Sequence, residues 1–132
     1  MSVFERITRE IHSGMVLYTP VKRVKFKIDS IDAEKVVFSV GTKTLIPIPR
    51  RCFDGIPAFL SGKGWVKIGP AYNKAQSETL QEHLDFVGWG AGSVGSDQKK
   101  SHSSDANYVA SVLEYLKIVE VNHSRPSKVR LK

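Results

Sequence analysis

At 132 residues, with 41% hydrophobic and 25% charged side chains, the chain has the size and composition of one globular domain, which excludes wholesale disorder and leaves no room for a catalytic domain joined to a separate cofactor domain. A formal net charge of +7 points to a polyanionic partner, because clustered Lys and Arg displace counterions from phosphates. A single cysteine, Cys52, excludes an internal disulfide, and neither an 18-residue apolar run nor an apolar leader in MSVFERITREIHSG is present, so a soluble, intracellular and cytoplasmic protein with no membrane partner is expected.

Taken in chain order, Val3, Phe4, Ile7 and Ile11 form a helical apolar stripe, with Ser2 as N-cap, Glu5 as its capping-box partner and Gly14 as the stop. MVLYT is a short strand halted by Pro20. From Val21 the period becomes two: Val24, Phe26 and Ile28 point one way and Arg23, Lys25 and Lys27 the other. After the polar turn SIDAE, KVVFSVG alternates again, so residues 22–41 are predicted to form an antiparallel hairpin. TKTLIPI is a third strand, placed at an edge or strand end by Pro47 and Pro49. Residues 50–60 have a helical spread interrupted by Gly55 and Pro57, SGKG is a turn, WVKIG is a strand, and residues 70–76 connect to the next part.

From Ser77 the pattern TLQEHLDF is helical, with Leu80, Leu84 and Val87 inward. A glycine-rich polar loop follows over 88–104. A second helix starts at Ser104 or Asp105 and turns Tyr108, Val109, Val112, Leu113 and Leu116 inward, leaving Asn107, Ser111 and Glu114 outward with Lys117 its only base. IVEVN and SKVRL flank HSRP as a hairpin. The expected class is α+β, a single domain over 1–132, with a basic antiparallel sheet and flanking helices in 1–74 and a helix-loop-helix-hairpin part in 77–132. The first 74 residues hold 13 basic and 6 acidic side chains and the remainder 7 and 7, so the excess lies in the sheet part.

Within the loop, Gly90 to Gly95 reads GAGSVG, the spacing of a dinucleotide-binding glycine motif. That motif works between a strand and a helix, and here a helical pattern precedes it and the polar SDQKKSHSS follows, so no cofactor is expected. The loop is read as a linker, or as a segment that orders on nucleic acid through Trp89, Lys99 and Lys100. Four scattered histidines lack metal-ligand spacing, and no metal is expected. Asp29, Asp32, Glu34 and Lys35 have a nuclease-like composition without an acid and a lysine alternating on one strand face. Cys52 follows two arginines but has no placed histidine, so a packed thiol is expected.

The order helix, loop, helix, hairpin from Ser77 to Leu131 resembles the second half of a winged helix-turn-helix domain. That resemblance implies a recognition helix over 105–117 and a wing tip at HSRPSK, with Arg125 and Lys128 on DNA backbone or minor groove. The sequence is therefore read as a non-enzymatic nucleic-acid-binding domain for duplex DNA, contacting it through Arg23, Lys25, Lys27, Arg50, Arg51, Lys99, Lys100, Arg125, Lys128 and Arg130. The alternatives are an adaptor for an acidic protein partner and, third, a metal-dependent nuclease built on the acids of the first hairpin turn.

Overall fold

The computed structural model describes residues 2–42, 44–68, 79–80, 83–84, 105–124 and 127–132. The fold is α+β: a four-stranded antiparallel sheet, a second sheet of three strands and short helices share one hydrophobic core.

Helix α1 (Val3–Glu10) has the capping box its sequence predicts. The Glu5 amide donates to Ser2 Oγ at 3.1 Å and the Ser2 amide donates to Glu5 Oε1 at 2.7 Å, satisfying two groups that a helix start otherwise leaves unpaired. The helix ends before Gly14, because Ile11 turns extended to enter the core. Gly14 instead takes φ +92° in the turn leading to β1 (Val16–Tyr18), and its amide donates to the Ile28 carbonyl at 2.7 Å.

Strand β2 (Lys25–Ile31) begins later than the alternation predicts. The Val24 amide bonds the Thr19 hydroxyl and the Thr19 amide bonds the Val24 carbonyl, both at 2.9 Å. This closes a tight loop in which Val21 and Arg23 adopt φ +64° and +55°. Arg23 is therefore a loop residue, and Val24, expected inward, is 40% exposed. Beyond it the alternation holds: Phe26 and Ile28 are buried, and Lys25 and Lys27 are open. A bulge at Asp29 shifts the register against β3 (Lys35–Val40). The connecting turn is closed by the Asp32 carboxylate, which accepts the Glu34 and Lys35 amides.

Strand β4 (Thr44–Pro49) lies at one edge of the order β1-β2-β3-β4, where Pro47 and Pro49 cost the ladder little. The helical spread of residues 50–60 divides into α2 (Arg50–Asp54) and α3 (Ile56–Leu60), because Gly55 closes the first and Pro57 opens the second. Strand β5 is only Val66–Lys67. Of the helix predicted after Ser77, Leu80, His83 and Leu84 are helical, with Leu80 and Leu84 buried as the spacing requires.

Helix α4 (Asp105–Tyr115) runs through the core. Tyr108 meets Phe26 edge-on, with ring centroids 5.0 Å apart, and Phe38 lies 6.0 Å from the same ring. Ser111, expected outward, is 4% exposed; its hydroxyl donates to the Tyr18 carbonyl at 2.8 Å and so ties α4 to β1. The helix ends in a Schellman motif, with Ile118 bonded back to Leu113 and Lys117 back to Glu114. Lys117 occupies the left-handed position of that motif at φ +63°, where glycine is usual. Strands β6 (Val119–Asn122) and β7 (Lys128–Leu131) form the predicted hairpin, and β7 also pairs with β5, giving the order β5-β7-β6. Among the described residues, no helix is long and apolar enough to cross a membrane.

Candidate nucleic-acid interface

The sheet pleat decides which side chains reach solvent. Since Phe26, Ile28, Val36, Phe38, Ile46 and Ile48 point into the core, the residues between them face outward. Cross-strand pairing aligns Val16 with Lys27, Lys27 with Ser39 and Ser39 with Leu45, while Tyr18 sits opposite Lys25. The outer face thus carries two exposed lysines two positions apart, about 7 Å along the strand, beside an exposed tyrosine. Neither Lys25 nor Lys27 has an ion-pair partner among the described residues. A shallow cleft of about 380 Å³ opens between Val16, Lys25, Lys27 and Ser39.

Although Arg23 leaves the strand, it returns to the same surface: its guanidinium lies over the Tyr18 ring, 5.5 Å from the centroid. Two left-handed residues that are not glycine, Val21 and Arg23, shape the loop that puts it there. Each such residue costs on the order of 1–2 kcal/mol, which the surrounding hydrogen bonds must over-determine.

Arg50 is exposed and also makes contacts within the molecule. Its Nε pairs with Asp54 at 2.9 Å, and its guanidinium stacks over Phe4 at 5.4 Å. Asp54 also accepts the Phe4 amide at 2.9 Å, so a carboxylate at the C-terminal end of α2 caps the start of α1. A cation in the first turn of α2 is disfavoured by the helix dipole, and this ion pair compensates it. Arg51 is exposed and lines, with Arg50, Lys35, Glu34 and Asp54, an open cleft of about 980 Å³ that mixes both signs of charge.

Lys128 and Arg130 lie on the outer face of the small sheet. Lys128 is opposite Lys67, and Arg130 pairs with Glu120 at 3.1 Å while stacking over Trp65 at 4.5 Å from the ring centroid. Sequence reasoning did not single out Tyr18, Trp65 or Lys67 as the neighbours of Arg23, Arg130 and Lys128. The signal was present in WVKIG, where Val66 and Ile68 turn inward and must send Trp65 and Lys67 out. Lys99, Lys100 and Arg125, together with Trp89 and the glycine run 90–95, lie outside the described residues.

Of the other chemical candidates, Asp32, Cys52 and His83 make contacts within the fold. Asp32 binds Lys35 at 3.2 Å, and the Glu34 amide holds its carboxyl below the usual aspartate range. Cys52 is buried, its thiol 3.9 Å from the Leu84 carbonyl. His83 stacks on Phe59 with centroids 4.0 Å apart. Among the described residues, no three His, Cys, Asp or Glu side chains cluster as metal ligands. The side chains of α4 that reach solvent include Asn107, Glu114 and Tyr115, none of them basic. Comparison with known proteins finds no matching family model, no matching curated protein and no matching solved structure.

Proposed function

We propose that this protein binds nucleic acid by its phosphate backbone on the outer face of the four-stranded sheet. The observation that carries this reading is the pair Lys25 and Lys27, exposed and without an ion-pair partner among the described residues, beside Tyr18 with Arg23 stacked upon it. An exposed row of like charges is unfavourable for the isolated protein and favourable against a polyanion. The strained loop carrying Arg23 supports the same assignment, because strain of this kind is retained where geometry matters.

The test is a mobility-shift titration of a 20-base-pair duplex at 50 and 200 mM NaCl. If Arg23, Lys25 and Lys27 each neutralise one phosphate, affinity falls about 40-fold between those salts, from a slope of about −0.9 per phosphate. Absence of binding at 50 mM, or affinity indifferent to salt, refutes it. One observation favours a second reading, an acidic protein partner: Val16 and Leu45 are 41% and 57% exposed on the same face. Capture of a protein that survives nuclease treatment, with no duplex binding, selects that reading.

A further inference from the structure

We infer that the outer face of the small sheet is a separate stacking platform for an unpaired base, so that the nucleic acid recognised includes a single-stranded stretch. This rests on the nucleic-acid reading above but concerns different residues.

Four side chains make a rectangle on this face. Trp65, immediately before β5, lies against Arg130, and two residues along each strand Lys67 stands opposite Lys128. Trp65 is 41% exposed although it is the largest side chain of the segment, while its neighbour Val66 is buried. Its ring does not lie bare: the Arg130 guanidinium sits 4.5 Å from the centroid and is held there by Nε and Nη2 contacts to Glu120 Oε1, each 3.1 Å. Glu120 and Arg130 thereby offset each other's charge, and the pair presents a positioned guanidinium plane against an indole. Planar aromatic and guanidinium groups are what unpaired bases stack on.

The other two corners supply the phosphate site. Directly opposed like charges on a sheet face repel one another, and neither Lys67 nor Lys128 has an ion-pair partner among the described residues. A phosphate between them would turn that repulsion into two attractions. The base-stacking and phosphate corners lie about 7 Å apart along each strand. A duplex cannot use the first corner, because its base faces are already covered by neighbouring pairs. An acidic protein segment would use the lysines but gain nothing particular from the indole.

The experiment is fluorescence anisotropy of the full chain with two fluorescein-labelled probes, a dT12 strand and a 12-base-pair duplex, at 50 mM NaCl. Trp65→Leu keeps apolar bulk and removes the ring, and Trp65→Phe keeps a ring. The expected result is that W65L weakens dT12 binding at least fivefold, the lower end for one lost base–aromatic stack, while duplex binding stays within twofold and W65F recovers most of the loss. Equal dT12 affinity for W65L and the wild type overturns the inference, as does an equal loss on both probes. If the duplex still binds with a salt-dependent affinity in those cases, only this inference falls. If the wild type binds neither probe, the nucleic-acid reading falls with it.

Discussion

Replacing Lys25 and Lys27 by threonine tests the proposed interface with little interference from folding. Both side chains are exposed on β2, and threonine is a good strand former, so the sheet loses two charges but no packing. With each lysine neutralising one phosphate, the slope of log affinity against log salt becomes shallower by about 1.8, and the fall between 50 and 200 mM NaCl shrinks from about 40-fold to about 3-fold. Wild-type and variant lines converge near 1 M salt, so the loss at 50 mM is about 200-fold. The assay is duplex titration at four salt concentrations, with urea unfolding alongside to show an unchanged midpoint. A variant whose slope matches the wild type, with the fold intact, shows that these lysines face water alone and refutes the reasoning.

Phe26→Ala removes a ring that meets both Phe38 and Tyr108 edge-on, and should cost about 3–5 kcal/mol in urea unfolding; a loss below about 2 kcal/mol would mean that the seam between β2 and α4 is not the centre of the core. Lys117→Gly relieves a left-handed residue at the end of α4 and should stabilise by about 1 kcal/mol, so an unchanged or lower unfolding midpoint contradicts the assigned Schellman geometry. Acid titration has a defined sign. The Ser2 amide, then its hydroxyl, lowers the Glu5 carboxyl below 4.5, and the Glu34 amide, then the Lys35 side chain, lowers Asp32 below 3.8. The folded state therefore binds fewer protons there than the unfolded chain, so stabilisation is present above those values and is lost as pH falls through and below them. In Glu5→Gln and Asp32→Asn the unfolding midpoint should fall less steeply from pH 6 to pH 3; slopes equal to wild type would show that these carboxylates contribute nothing.

The local elements were largely legible because local chemistry makes them. The Ser2–Glu5 capping box, the alternation of β2 and β3, the edge prolines of β4 and the inward stripe of α4 all follow from pairs of residues close in sequence. Where reading by period failed, a contact from elsewhere decided the outcome. Arg23 continues the alternation in sequence, but the Thr19–Val24 hydrogen bonds lift it out of the strand and onto Tyr18. Ser111 is polar and spaced for solvent, yet the Tyr18 carbonyl gives its hydroxyl a buried partner.

The candidate site divides along the same line. That Lys25 and Lys27 share a face is a property of β geometry and was decided by the sequence alone, as were the basic excess and the α+β class. That Trp65 meets Arg130, and Lys67 meets Lys128, was settled only when β7 paired with β5 as well as with β6. These partners are more than 60 positions apart, and register between distant strands depends on how the whole core closes beneath them.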